Sequence, residues 1–103
     1  MLAHDVYFTL NDGSPAARQK LVAACKKFLT GYPGMVSFSV GVVSAEQNRP
    51  VNDLEFDVAL HIVFQSIADH DAYQAAPRHE SFVEENKATW KKVRVFDSIV
   101  EAA

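Results

Sequence analysis

Cysteine is almost missing from this chain, with Cys25 the single one. No internal disulfide is possible, so non-covalent packing alone must hold the fold, and the composition points to a reducing, cytoplasmic setting. Glycine is scarce too: four residues, at Gly13, Gly31, Gly34 and Gly41, with no phosphate-cradling loop or dinucleotide fingerprint among them. Basic residues are outnumbered, ten against thirteen acidic, for a net charge of -3. Without a basic stripe, neither nucleic acid nor an anionic membrane surface is expected as a partner. No apolar run approaches a membrane span, and Met1–Asp5 shows neither the basic region nor the apolar core of a secretion signal. There is no Ser-His-Asp order of a hydrolase either.

Apolar residues make up 49 % of the 103, enough for a real core, and residues 1–103 read as a single domain. Residues 4–10 alternate, with His4, Val6, Phe8 and Leu10 on one side, which predicts a strand. Asn11–Pro15 breaks it, and Ser14-Pro15 reads as a helix cap followed by a first turn. That helix extends to about Thr30, with Leu21, Cys25, Phe28 and Leu29 as its apolar stripe and Gly31 ending it. A second strand spans 35–43, a polar loop 44–54, and a third strand 56–64. Ser66-Ile67-Ala68-Asp69 resembles a capping box and opens a short helix ending near Ala76. Pro77 starts another, expected to run to about Lys91, on which His79, Phe82, Val83, Asn86 and Trp90 share a face. The last strand is expected at about 93–100.

The order βαββαβ predicts an α+β, ferredoxin-like protomer: a four-stranded antiparallel sheet with helices on one face. The helix-covered set is Val6, Phe8, Val36, Phe38, Val40, Val58, Leu60, Ile62, Val93 and Val95. The other face mixes Tyr7, Val63, Phe96 and Val100 with Asp5, Asp57, His61 and Arg94. That is too apolar for open water and too polar for a core, so a second copy is expected to cover it, making a homodimer with an interface of about 2,000 Å² or more.

The segments HDVYFTL, PGMVSFSVG, DVALHIVFQSIADHDAYQAAPRHESFVEENK and VRVFD resemble the stress-responsive A/B barrel (Dabb) family over roughly residues 2–100. The resemblance implies a homodimeric α/β barrel. It also implies that most members have no assigned reaction. One plant branch includes a cofactor-free polyketide cyclase, whose histidine on the first strand and tyrosine and histidine in the matching run act on substrate. By motif position these become His4, Tyr73 and His79. The cyclase has HPAH where this chain has Ala76-Pro77-Arg78-His79, so the first histidine of that pair is missing and Arg78 brings a charge expected at the pocket mouth.

The residues themselves support roles of that kind. A free imidazole titrates near pH ~6.5, so His79 can serve as a general base, with Tyr73 positioning a carbonyl and His4 supporting His79. Val6, Phe8, Phe28, Phe82 and Trp90 are the expected walls of a pocket for a small apolar or aromatic molecule. Each also has a plainer role as core or as a hydrogen-bonded buried side chain. No side-chain metal site is expected: two histidines and a tyrosine are too few ligands, with His61 placed on the dimer side and His70 on the exposed side of its helix, while a magnesium ion held by loop carbonyls stays open from sequence. No redox cofactor is implied. Three readings remain: a ligand-binding Dabb dimer, with a proton-transfer enzyme using His79, His4 and Tyr73 as its catalytic form; a structural stress-related dimer with a filled interior; and, by fold analogy alone, a cofactor-independent monooxygenase.

Overall fold

The computed structural model describes residues 1–103. Its elements are β1 (Leu2–Leu10), α1 (Pro15–Phe28), β2 (Met35–Val42), β3 (Val58–Phe64), α2 (Ile67–Ala75), α3 (Pro77–Asn86), a 3-10 turn (Lys87–Thr89) and β4 (Trp90–Ile99). The sheet order is β2-β3-β1-β4, every neighbour antiparallel. This is the ferredoxin-like arrangement the alternation and element order predict.

Local chemistry sets the boundaries. The Ser14 hydroxyl accepts from the Ala17 N–H at 3.2 Å, and Pro15 occupies the first turn, where its missing N–H costs nothing. The Ser66 hydroxyl does the same for Asp69 at 3.1 Å and donates to the Asp69 carboxylate at 2.9 Å. Gly31 and Gly34 both have positive φ, which a side chain would strain. A Cβ on Gly34 would also collide with the Asp69 carboxylate.

Helix packing makes one core. Leu2, Val6, Phe8, Leu10, Leu21, Val22, Cys25, Leu29, Val58, Leu60, Ile62, Phe64, Tyr73 and Phe82 are all buried together. Each large aliphatic or aromatic side chain hidden this way contributes about 1.5–3 kcal/mol of transfer free energy. Burial also pushes the Cys25 thiol up to about 12, so it stays protonated as packing.

Five details differ from the sequence expectation. Helix α3 stops at Asn86, and Trp90 opens β4 instead of continuing the helical face. The Asn86 amide turns back onto the Phe82 carbonyl at 2.8 Å and Thr89 donates to the Asn86 carbonyl at 2.7 Å, closing the tight turn. Val36 is 54 % exposed because the β2–β3 register shifts between Met35 and Ser37, turning it out of the covered face. Val93 and Val95 are exposed although they point to the helix side, since α1 packs chiefly over β2 and β3 and leaves β4 open. Asp57 precedes β3 and is buried, accepting from the Leu10 N–H at 2.7 Å and paired with Arg18 at 2.9 Å. Arg18, which as a basic side chain off the apolar stripe of its helix is expected in solvent, is thereby tied down.

Candidate functional site

The strip along β4 that α1 leaves open borders a cavity of about 400 Å³ that reaches in to β1. Its floor is β1 and β4, through His4, Val6, Phe8, Val93, Val95 and Asp97, and its other wall is α2 and α3, through His70, Tyr73, Gln74, His79, Phe82 and Val83. Trp90 lines it as well. The chain leaves helical geometry at Ala76 (φ -70, ψ 142), so α2 and α3 are separate rods, and the Tyr73 and His79 rings meet edge-to-face at 4.8 Å.

Of the expected residues, His4, Tyr73, His79, Val6, Phe8, Phe82 and Trp90 all line this space. Phe28 does not; it packs behind Phe82, with ring centroids 6.4 Å apart. Arg78 is also absent from the mouth. Its guanidinium donates to the Thr30 and Lys27 carbonyls at 3.2 and 2.8 Å and lies over the Tyr32 ring, satisfying the C-terminal end of α1.

Three polar side chains were not expected here. Asp97 sits directly across from His4 in the β1–β4 register, and its Oδ1 is 2.6 Å from His4 Nδ1. Gln74 places its amide nitrogen 3.4 Å from His4 Nε2. A neutral His4 donating from Nδ1 and accepting at Nε2 satisfies both neighbours. His70, expected on the exposed side of its helix, turns inward and packs on His4 with centroids 4.9 Å apart. The signals were present: the alternation puts Asp97 on the helix side, the fold pairs the first and last strands, and His70 is three residues from Tyr73 on one helix.

Burial, then the nearby His4, lowers the His79 pKa below the usual imidazole value, with Glu80 opposing and His70 reinforcing. His79 is therefore neutral at pH ~7 and able to take a proton. Burial raises the Tyr73 pKa, so its hydroxyl stays a proton donor. The site thus combines an apolar cavity, an uncharged base, a phenol and a carboxylate-bound histidine.

A second hollow, of about 580 Å³, lies on the opposite sheet face between Tyr7, Arg94 and Phe96 and the loop before β3. It contains none of these histidines. There Asp5 pairs with His61 at 2.7 Å and Asp53 with Arg94 at 2.7 Å. Phe96 remains 53 % exposed. No helix is long and apolar enough to cross a membrane.

Sheet order and cavity define a ferredoxin-like protein with a pocket between helices and sheet. The model of the stress responsive A/B barrel domain matches residues 2–100, and the chain belongs to that family. It resembles a Dabb family protein with a ferredoxin-like fold from Mesorhizobium loti, at 22 % identity and TM-score 0.78, over 98 % of this chain and 97 % of that one. A dimeric ferredoxin-like protein of unknown function from Thermobifida fusca aligns with TM-score 0.79 at 17 % identity, over 96 % and 90 %. A hydroxynitrile lyase from Passiflora edulis aligns with TM-score 0.76 at 20 % identity, over 99 % and 94 %. At these identities the likeness is one of fold. No curated protein matches the chain.

Proposed function

We propose that this Dabb domain binds a small, largely apolar or aromatic carbonyl compound in the cavity between helices and sheet. The observation that carries this is a space of about 400 Å³, ten of whose fifteen lining residues are hydrophobic, that touches Tyr73 and His79 at once. Apolar walls favour an apolar body, and the phenol and imidazoles gathered on one side give it an orientation. Phe82 and Trp90 pack on Phe8 and line the space, which argues against a filled interior. Trp90 is the single tryptophan, so its emission reports occupancy directly. A panel of aromatic ketones and acids should include members that shift Trp90 fluorescence saturably, and native mass spectrometry should show them retained. A panel that leaves the emission untouched would end the reading.

The catalytic form of this reading is proton transfer. His79 takes a proton from a carbon or hydroxyl next to the carbonyl, Tyr73 donates a hydrogen bond to the carbonyl oxygen, and the Asp97-held His4 supports the charge. The neutral state of half-buried His79 favours it, and so does a fold neighbour named as a hydroxynitrile lyase. A His79→Ala protein of unchanged melting temperature should lose about 10²–10⁴-fold in turnover. Equal turnover would remove the catalytic role and leave binding standing. The working unit is a homodimer, its second copy covering the sheet face that carries Tyr7 and Phe96, in keeping with the dimeric neighbour from Thermobifida fusca.

A further inference from the structure

His70 is in an unsatisfied position. Its Nδ1 lies 3.1 Å from the Asp71 carboxylate, an arrangement in which the ring donates from Nδ1 and carries its lone pair on Nε2. That Nε2 is buried and has no hydrogen-bond partner. It faces Asp97 Oδ1 at 3.9 Å, beyond hydrogen-bond distance. On the far side of the same carboxylate oxygen is His4 Nδ1, at 2.6 Å. One donor atom each from His4, His70 and Asp97 lies within 4.8 Å of the others.

We propose that His4, His70 and Asp97 form a binding site for a divalent transition cation, zinc foremost. Two imidazoles and one carboxylate suit zinc and its first-row neighbours. Bonds of about 2.0–2.2 Å place tetrahedral ligands about 3.4 Å apart. The His4–Asp97 pair therefore opens and the His70–Asp97 pair closes by a fraction of an ångström. Asp97, on an edge strand and 40 % exposed, is free to turn for this. The hydrogen bond from His70 to Asp71 is the outer carboxylate contact that metal-bound histidines commonly make, which fixes the tautomer and strengthens the ligand. All three residues border the cavity, so a fourth coordination position opens to water or to a bound molecule. Binding at His4 Nδ1 shifts the single proton of the neutral ring to Nε2, where the Gln74 side-chain oxygen accepts it once the amide turns over, and uptake weakens in acid, where imidazoles are protonated. This site does not depend on the organic-ligand reading, whose binding stands on Tyr73 and His79 and whose catalytic form shares His4 and Asp97 with it.

The test is titration of chelator-treated protein with zinc by calorimetry, and with cobalt by visible absorption. We expect one saturable site per chain and cobalt bands of a four- or five-coordinate ion. His70→Gln should weaken zinc binding at least about 10- to 100-fold, and the exposed Asp71→Asn, which leaves the core alone, by about 10-fold. His61→Ala, on the other sheet face, should change nothing. Zinc should also shift the side-chain resonances of His4 and His70 in the unaltered protein, which keeps the test decisive if His70→Gln misfolds. Absence of saturable uptake overturns the proposal, as does uptake that survives His70→Gln in a folded protein. Trp90 fluorescence with organic ligands is read separately, so failure of one site is not mistaken for failure of the other.

Discussion

His4 and Asp97 occupy directly opposed positions on the first and last strands of the chain, 93 residues apart in sequence, with Nδ1 and Oδ1 separated by 2.6 Å. His4 is buried and Asp97 is not, so the pair anchors a hidden imidazole to a carboxylate at the cavity edge. Asp97→Asn should release the His4 ring from its fixed tautomer while lowering stability by about 1 kcal/mol or less. The check is the slowly exchanging His4 Nδ1 proton resonance, expected in the wild type in the metal-free state and lost in the variant. Its persistence in Asp97→Asn would show that other groups hold the ring.

The burial that lowers the His79 pKa also makes stability depend on pH. The unfolded chain titrates this group at pH ~6.5, and the folded protein below that. Between the two values the unfolded state binds more protons, so the stability His79 allows is present above pH ~6.5 and is lost as pH falls through the folded pKa. His79→Gln should flatten that part of the melting-temperature profile. An unchanged acid slope would assign it to other groups.

Cys25 is fully buried and its thiol titrates at about 12. A thiol reagent should therefore fail to label native protein at pH ~8 and should label it only as fast as the chain opens. Rapid stoichiometric labelling without denaturant would contradict the packing of α1.

Asp57 joins three parts of the fold by accepting from the Leu10 N–H and pairing with Arg18. Asp57→Ala leaves a buried N–H and a guanidinium without their acceptor, and should cost about 3 kcal/mol in urea unfolding. A loss below about 1 kcal/mol would mean that water replaces the carboxylate freely.

Phe96 stands 53 % exposed beside Tyr7, with ring centroids 5.9 Å apart. In a homodimer assembled on this face, Phe96→Asp buries an unpaired charge and should yield monomers in sedimentation at micromolar concentration. A wild-type protein that sediments as a monomer would refute the dimer outright.

The strands and helix starts were legible because alternation and capping are local. Ser14-Pro15, Ser66 and Pro77 mark in sequence the boundaries seen in space. Trp90 was not legible, because its spacing continues the apolar face of α3 and only the turn through Lys87–Thr89 reveals a break. Val36 was misplaced because a one-residue shift of register leaves no mark in an unbroken alternation. His4, Tyr73 and His79 were found as a set through family likeness, whereas Asp97 and His70 needed the β1–β4 pairing and the packing of α2. Arg78 shows the limit on long side chains: its backbone position is readable, but its reach to the end of α1 is not.

The extended residue at Ala76 has one further consequence. On an unbroken rod, residues six apart are about one and two-thirds turns apart and point in different directions. With the rod cut, Tyr73 and His79 become opposing jaws hinged on a single peptide junction. The two backbone torsions at Ala76 thus fix the distance at which a phenol and an imidazole face each other.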